Sequence, residues 1–121
     1  MIGTLDGIVL DCPDADSLAD FYAELLGMRK FSDEPGWAEV FGPDDARPLL
    51  AFQQVENFTA PEWPGQLVPQ QIHLDVKVDD LDRAEEAVLA LGAVRTGSET
   101  PTFRVYVDPA GHPFCLVKAN D

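Results

Sequence analysis

The chain has 121 residues, of which 45% are hydrophobic, and a net charge of -14 from 22 acidic and 8 basic residues. That length fits one domain, and the apolar content is enough for a core, which excludes disorder for most of the chain. A field of this sign repels nucleic acid and anionic lipid, so neither is an expected partner, and no apolar run approaches the roughly 20 residues that span a bilayer. The two cysteines, Cys12 and Cys115, cannot build a disulfide framework, and Met1-Ile2-Gly3-Thr4 lacks a signal-peptide pattern, so a cytoplasmic location is expected.

Residues 5–12 read as a strand, with Ile8, Leu10 and Cys12 on one face and Gly7, Val9 and Asp11 on the other. Pro13-Asp14 stops it, and Asp14 can cap the helix that follows. Leu18, Phe21, Tyr22, Leu25 and Leu26 recur at helical spacing, and Gly27 is a suitable C-cap. Three short strands are predicted at about 28–32, 37–41 and 48–55, separated by Glu34-Pro35-Gly36 and by Gly42-Pro43-Asp44-Asp45. Residues 57–69 contain Pro61, Pro64, Gly65 and Pro69 and read as a linker, with Trp63 packing down on something.

The pattern then restarts. Residues 70–78 alternate, with Ile72, Leu74, Val76 and Val78 on one face and Gln71, His73, Asp75 and Lys77 on the other. A helix follows Asp79-Asp80, with Leu81, Ala84, Val88 and Leu91 on its inner side and Gly92 at its end. Strands are predicted at about 94–96, 102–107 and 113–118. A shift of 66 superposes Gly7 on His73, Asp14 on Asp80 and Trp37 on Phe103, and a shift of 65 superposes Pro48 on Pro113 and Leu50 on Cys115. The fold class is therefore α+β, a single domain of two tandem βαβββ modules at about 1–56 and 70–121. One helix covers one face of each four-stranded sheet. The other faces are expected to form a half-barrel cleft, which a second chain would complete in a homodimer.

Several of these segments match a known family. They are Leu5-Asp6-Gly7-Ile8-Val9-Leu10-Asp11-Cys12, Leu25-Leu26-Gly27, Ile72-His73-Leu74-Asp75-Val76 and Asp108-Pro109-Ala110-Gly111-His112-Pro113-Phe114-Cys115. The chain resembles the glyoxalase-like branch of the glyoxalase/bleomycin-resistance/dioxygenase, or vicinal oxygen chelate, superfamily. The resemblance implies paired βαβββ modules, usually in a homodimer. It also implies, in metal-dependent members, a divalent ion held by His, Glu or Gln from the first and last strands of each module. Carried onto this sequence, those positions are Gly7, Leu50, His73 and Cys115. The first two offer no ligating side chain, and Cys115 stands where a carboxylate is expected, so no metal cofactor is expected.

His73 is the leading candidate, as a ligand contact or general base on the concave face. Cys115 should share that face as a small buried thiol. Phe52 has the strand parity of Leu50, so both are expected to face the cleft, where Trp37, Phe103 and Trp63 could add aromatic lining. The expected function is metal-free binding of a small organic molecule, as in bleomycin-resistance proteins. The alternative is a lyase, isomerase or dioxygenase that uses His73, with or without a divalent metal.

Overall fold

Each half of the chain folds as strand, helix, strand, strand, strand. The computed structural model describes residues 1–119, which divide into units spanning 1–58 and 59 onward. The last two residues of the expected second module, Asn120 and Asp121, lie outside the described residues. The first unit contains β1 (Gly7–Cys12), α1 (Ala15–Leu26), β2 (Arg29–Glu34), β3 (Trp37–Phe41) and β4 (Leu49–Gln54). The second contains β5 (Leu74–Val78), α2 (Leu81–Ala90), β6 (Val94–Glu99), β7 (Phe103–Val107) and β8 (Pro113–Lys118). The sheet orders are β1-β4-β3-β2 and β5-β8-β7-β6, and in each the first strand runs parallel to the last. No helix among the described residues is long and apolar enough to cross a membrane.

Local chemistry sets the helix ends. The Asp14 carboxylate accepts from the Ser17 N–H at 3.2 Å, and Asp80 does the same for Arg83 at 3.1 Å. Gly27 closes α1 at φ 64°, a left-handed conformation that suits glycine, and its N–H reaches the Ala23 carbonyl. Leu18, Phe21 and Tyr22 bury one face of α1, and Tyr22 stacks on Phe52 with centroids 5.5 Å apart. In the second unit Tyr106 stacks on Phe114 at 5.7 Å, and its hydroxyl donates to Glu85 of α2 at 2.9 Å.

Two expectations about the strands are corrected. The strand predicted over 70–78 begins only at Leu74. Leu74 already pairs with Phe114, and one step earlier its partner strand ends at Pro113, which has no N–H to give. The repeat register also changes in the last strand. Val40 pairs with Leu50, and the equivalent Tyr106 pairs with Phe114, so Leu50 corresponds to Phe114 and Ala51 to Cys115. The β3–β4 connection, residues 42–48, is two residues longer than the β7–β8 connection, residues 108–112, and accommodates a 3₁₀ turn at Pro43–Asp45. The extra length lies in a turn, where it leaves the sheet undisturbed.

Candidate ligand site on the second sheet

Strand pairing sorts every candidate by face. In the first sheet Phe52 is fully buried and stacked on Tyr22, so it faces α1. Leu50 shares that face two residues earlier, opposite the fully buried Val40. The expectation that Leu50 and Phe52 face an open cleft is therefore corrected: both belong to the helix–sheet core. The uncovered side carries the other parity. A Cβ added at Gly7 would meet the Leu49 side chain, 2.9 Å from its Cδ1, so Gly7 and Leu49 share it. Trp37 is on this side too, and its indole N–H donates to Glu39 at 3.0 Å.

In the second sheet Tyr106 and Arg104 face α2: Arg104 meets Asp82 at 2.7 Å and the Leu81 carbonyl at 3.4 Å. The opposite face carries the site. Asp75, Cys115 and Val105 form one row across β5, β8 and β7, and Lys77, Val117 and Phe103 form the next. His73 precedes β5 by one residue, and its Nε2 lies 3.2 Å from Asp75 Oδ1. One ligand atom each from His73, Asp75 and Cys115 lies within 4.8 Å of the other two. The structure thus brings together His73 and Cys115, both expected, and adds Asp75. Alternation places Asp75 on the same face as His73, and the His-x-Asp spacing is the sequence signal that sets these two donors side by side.

Trp63 comes in from the segment preceding β5. Its ring centroid is 6.4 Å from that of His73, with the planes tilted at 55°. Glu62 bridges to Pro69, closing this segment into a tight loop. The Trp63 indole N–H and the Gln70 amide oxygen are both shielded from solvent without a hydrogen-bond partner. Phe103 lies one row from Cys115, with 37% of its surface exposed.

The Cys115 thiol is pushed up to about 11, first by burial and then by the charge and hydrogen bond of Asp75. At neutral pH it is a protonated donor to the carboxylate rather than a nucleophile. His112 is held in the turn before β8, its Nδ1 2.8 Å from the buried Asp108. A recess of about 360 Å³ at the start of α2 is lined by Asp79, Asp80, Asp82, Arg104 and Lys118. The guanidinium there is already paired with Asp82.

Residues 7–117 match the family model of the glyoxalase-like domain. The chain belongs to the glyoxalase-like domain family. Its fold is similar to those of several solved proteins. A glyoxalase/bleomycin resistance protein/dioxygenase family enzyme from Burkholderia phytofirmans PsJN has a TM-score of 0.71 at 14% identity, over 98% of this chain and 100% of its own. A glyoxalase/dioxygenase from Nostoc punctiforme also has 0.71, at 17% identity, over 98% of this chain and 92% of its own. TnmS3, an antibiotic-binding protein from Streptomyces sp. CB03234, has 0.62 at 24% identity over 98% of both chains. No curated protein matches. This glyoxalase-like domain does not fit the hard-ion ligand set that the superfamily implies. The positions equivalent to His73 and Cys115 in the first module are Gly7 and Ala51, and neither carries a donor atom.

Proposed function

We propose that this glyoxalase-like domain binds a small organic molecule on the open face of its second sheet, and that the reading needs no hard metal ion. The observation that carries it is the convergence of His73, Asp75 and Cys115 beside the Trp63 ring. An imidazole and a carboxylate supply directional polar contacts, and the indole and Phe103 supply apolar area. A net charge of -14 favours a cationic or neutral ligand over an anion. The antibiotic-binding role of TnmS3 supports sequestration as the purpose. The high thiol pKa of Cys115 argues against covalent catalysis through it.

The test is a panel of cationic and aromatic compounds followed by Trp63 fluorescence in a Trp37→Phe background. At least one compound should saturate the signal, and Asp75→Asn should weaken a cationic ligand at least tenfold. A panel with no saturable binder would defeat the reading. A homodimer and a cytoplasmic location belong to the same proposal. Sedimentation equilibrium giving a monomer at micromolar concentration would remove the first, and recovery of the native protein outside the cytoplasm would remove the second.

A further inference from the structure

We infer that the open face of the first sheet holds a separate binding site for a protonated organic amine, with the Glu39 carboxylate as its anchor and the Trp37 and Phe31 rings beside it. This does not rest on the proposed function, because none of these residues belongs to the second sheet. Glu39 lies half-buried in the middle of β3. Ala51 and Val9 extend its row on one side, and Phe31 completes it on the other. The row is not a copy of Asp75, Cys115 and Val105. Val9 stands where the second module has Asp75, Ala51 where it has Cys115, and Glu39 where it has Val105. The charge therefore moves from the first strand of the module to its third.

A carboxylate set among apolar groups on a sheet face calls for a cation. The Trp37 indole N–H donates to Glu39 Oε2 at 3.0 Å, which fixes the carboxylate and leaves Oε1 without a hydrogen-bond partner among the described residues. No ion pair among the described residues reaches Glu39 either. Among those residues the one basic side chain on this face is Arg29, and it is engaged elsewhere: its guanidinium lies 4.5 Å from the Phe41 ring centroid and 2.6 Å from Asp45. That contact is itself a cation held by a ring and a carboxylate, two residues along β3 from Glu39. Phe31 sits directly opposite Glu39, where facing Cβ atoms are about 5 Å apart. Phe31 and Val9 are 50% and 49% exposed, so the row is open to solvent at both ends. An ammonium at Oε1 can donate an N–H to the carboxylate and present its charge to the faces of the two rings. The carboxylate repels an anion, and a neutral molecule gains only apolar contact.

Benzylammonium titrated into the isotope-labelled, unmutated chain tests this by nuclear magnetic resonance, because the two tryptophans give two indole N–H signals. Trp37→Phe identifies which signal belongs to Trp37. That signal should move and saturate, since its hydrogen bond to Glu39 changes when the carboxylate takes an ammonium. Benzyl alcohol, the neutral analogue, should bind at least tenfold more weakly, and benzoate should not compete. Glu39→Gln should weaken benzylammonium at least tenfold, and Phe31→Ala about threefold. Far-ultraviolet circular dichroism confirms the fold of each variant, and the comparison of ammonium with alcohol on the unmutated chain decides the outcome if a variant fails to fold. A Trp37 signal that stays still, equal binding of the ammonium and the alcohol, or undiminished binding in Glu39→Gln would overturn the inference. Movement of the Trp63 signal alone would overturn it as well and leave the proposed function standing. A saturating Trp37 signal with a still Trp63 would support it even if no compound bound beside Trp63.

Discussion

Removing the Asp108 carboxylate should loosen the turn that starts β8 and, with it, the placement of Cys115. The Asp108 side chain is fully buried. Its Oδ1 accepts from the backbone N–H groups of Ala110, Gly111 and His112 at 2.9, 2.9 and 3.0 Å, and its Oδ2 lies 2.8 Å from His112 Nδ1. Asp108→Ala strips a partner from all four groups at once. A hydrogen bond to a charged acceptor contributes about 1.5–3 kcal/mol, but the turn residues are only partly buried and water can reclaim some of their N–H groups. The expected loss is therefore about 3–5 kcal/mol. In a chain of this size that lowers Tm by about 10–20 °C, reading about 3–5 °C per kcal/mol. Asp108→Asn keeps an oxygen for the three N–H groups but gives up the charge, so it should lose about half as much. Urea unfolding followed by circular dichroism measures both variants. A loss below about 1 kcal/mol for Asp108→Ala would refute the reasoning, because it would mean that the buried carboxylate is not what holds the turn.

Three further outcomes follow from residues already placed. Phe52→Ala should cost about 3–5 kcal/mol in urea unfolding, because the ring is fully buried against Tyr22, and should leave ligand affinity at the second sheet unchanged. Tyr106 is pushed up to about 12, first by burial and then by the hydrogen bond to Glu85. The fold holds the neutral phenol, so this stabilisation is complete below the ordinary value of about 10 and is lost as pH rises from 10 toward 12. Tyr106→Phe should flatten that alkaline loss, and tyrosinate absorbance assigning Tyr106 an ordinary titration would contradict it. In chelator-treated Cys12→Ser protein, alkylation of Cys115 should keep accelerating past pH 9, since its thiol titrates near 11. Asp75→Asn removes the neighbouring negative charge and should raise the rate at pH 8; an unchanged rate would count against the Asp75–Cys115 contact.

The fold and part of the site were legible in the sequence because they depend on local chemistry. Asp14 and Asp80 announce helix starts, Gly27 announces an end, and period-2 alternation places His73 and Asp75 on one side of a strand whatever lies around it. The restart near residue 70 revealed two modules because each helix and sheet must repeat the same apolar spacing to bury one face. The face of β4 was not legible. Leu49, Leu50, Ala51 and Phe52 are all buried, so that strand carries no alternation to read. Only the stacking of Phe52 on Tyr22 shows which residues face the helix. Matching Leu50 to Cys115 failed for a related reason: the length of a turn is not encoded in strand periodicity, and two extra residues before β4 shift every later correspondence. The sequence by itself determined the two modules and named the chemistry of His73 and Cys115. Tertiary structure decided that Asp75 joins them, because pairing across β5 and β8 depends on register, and register is set by the whole sheet rather than by any one strand.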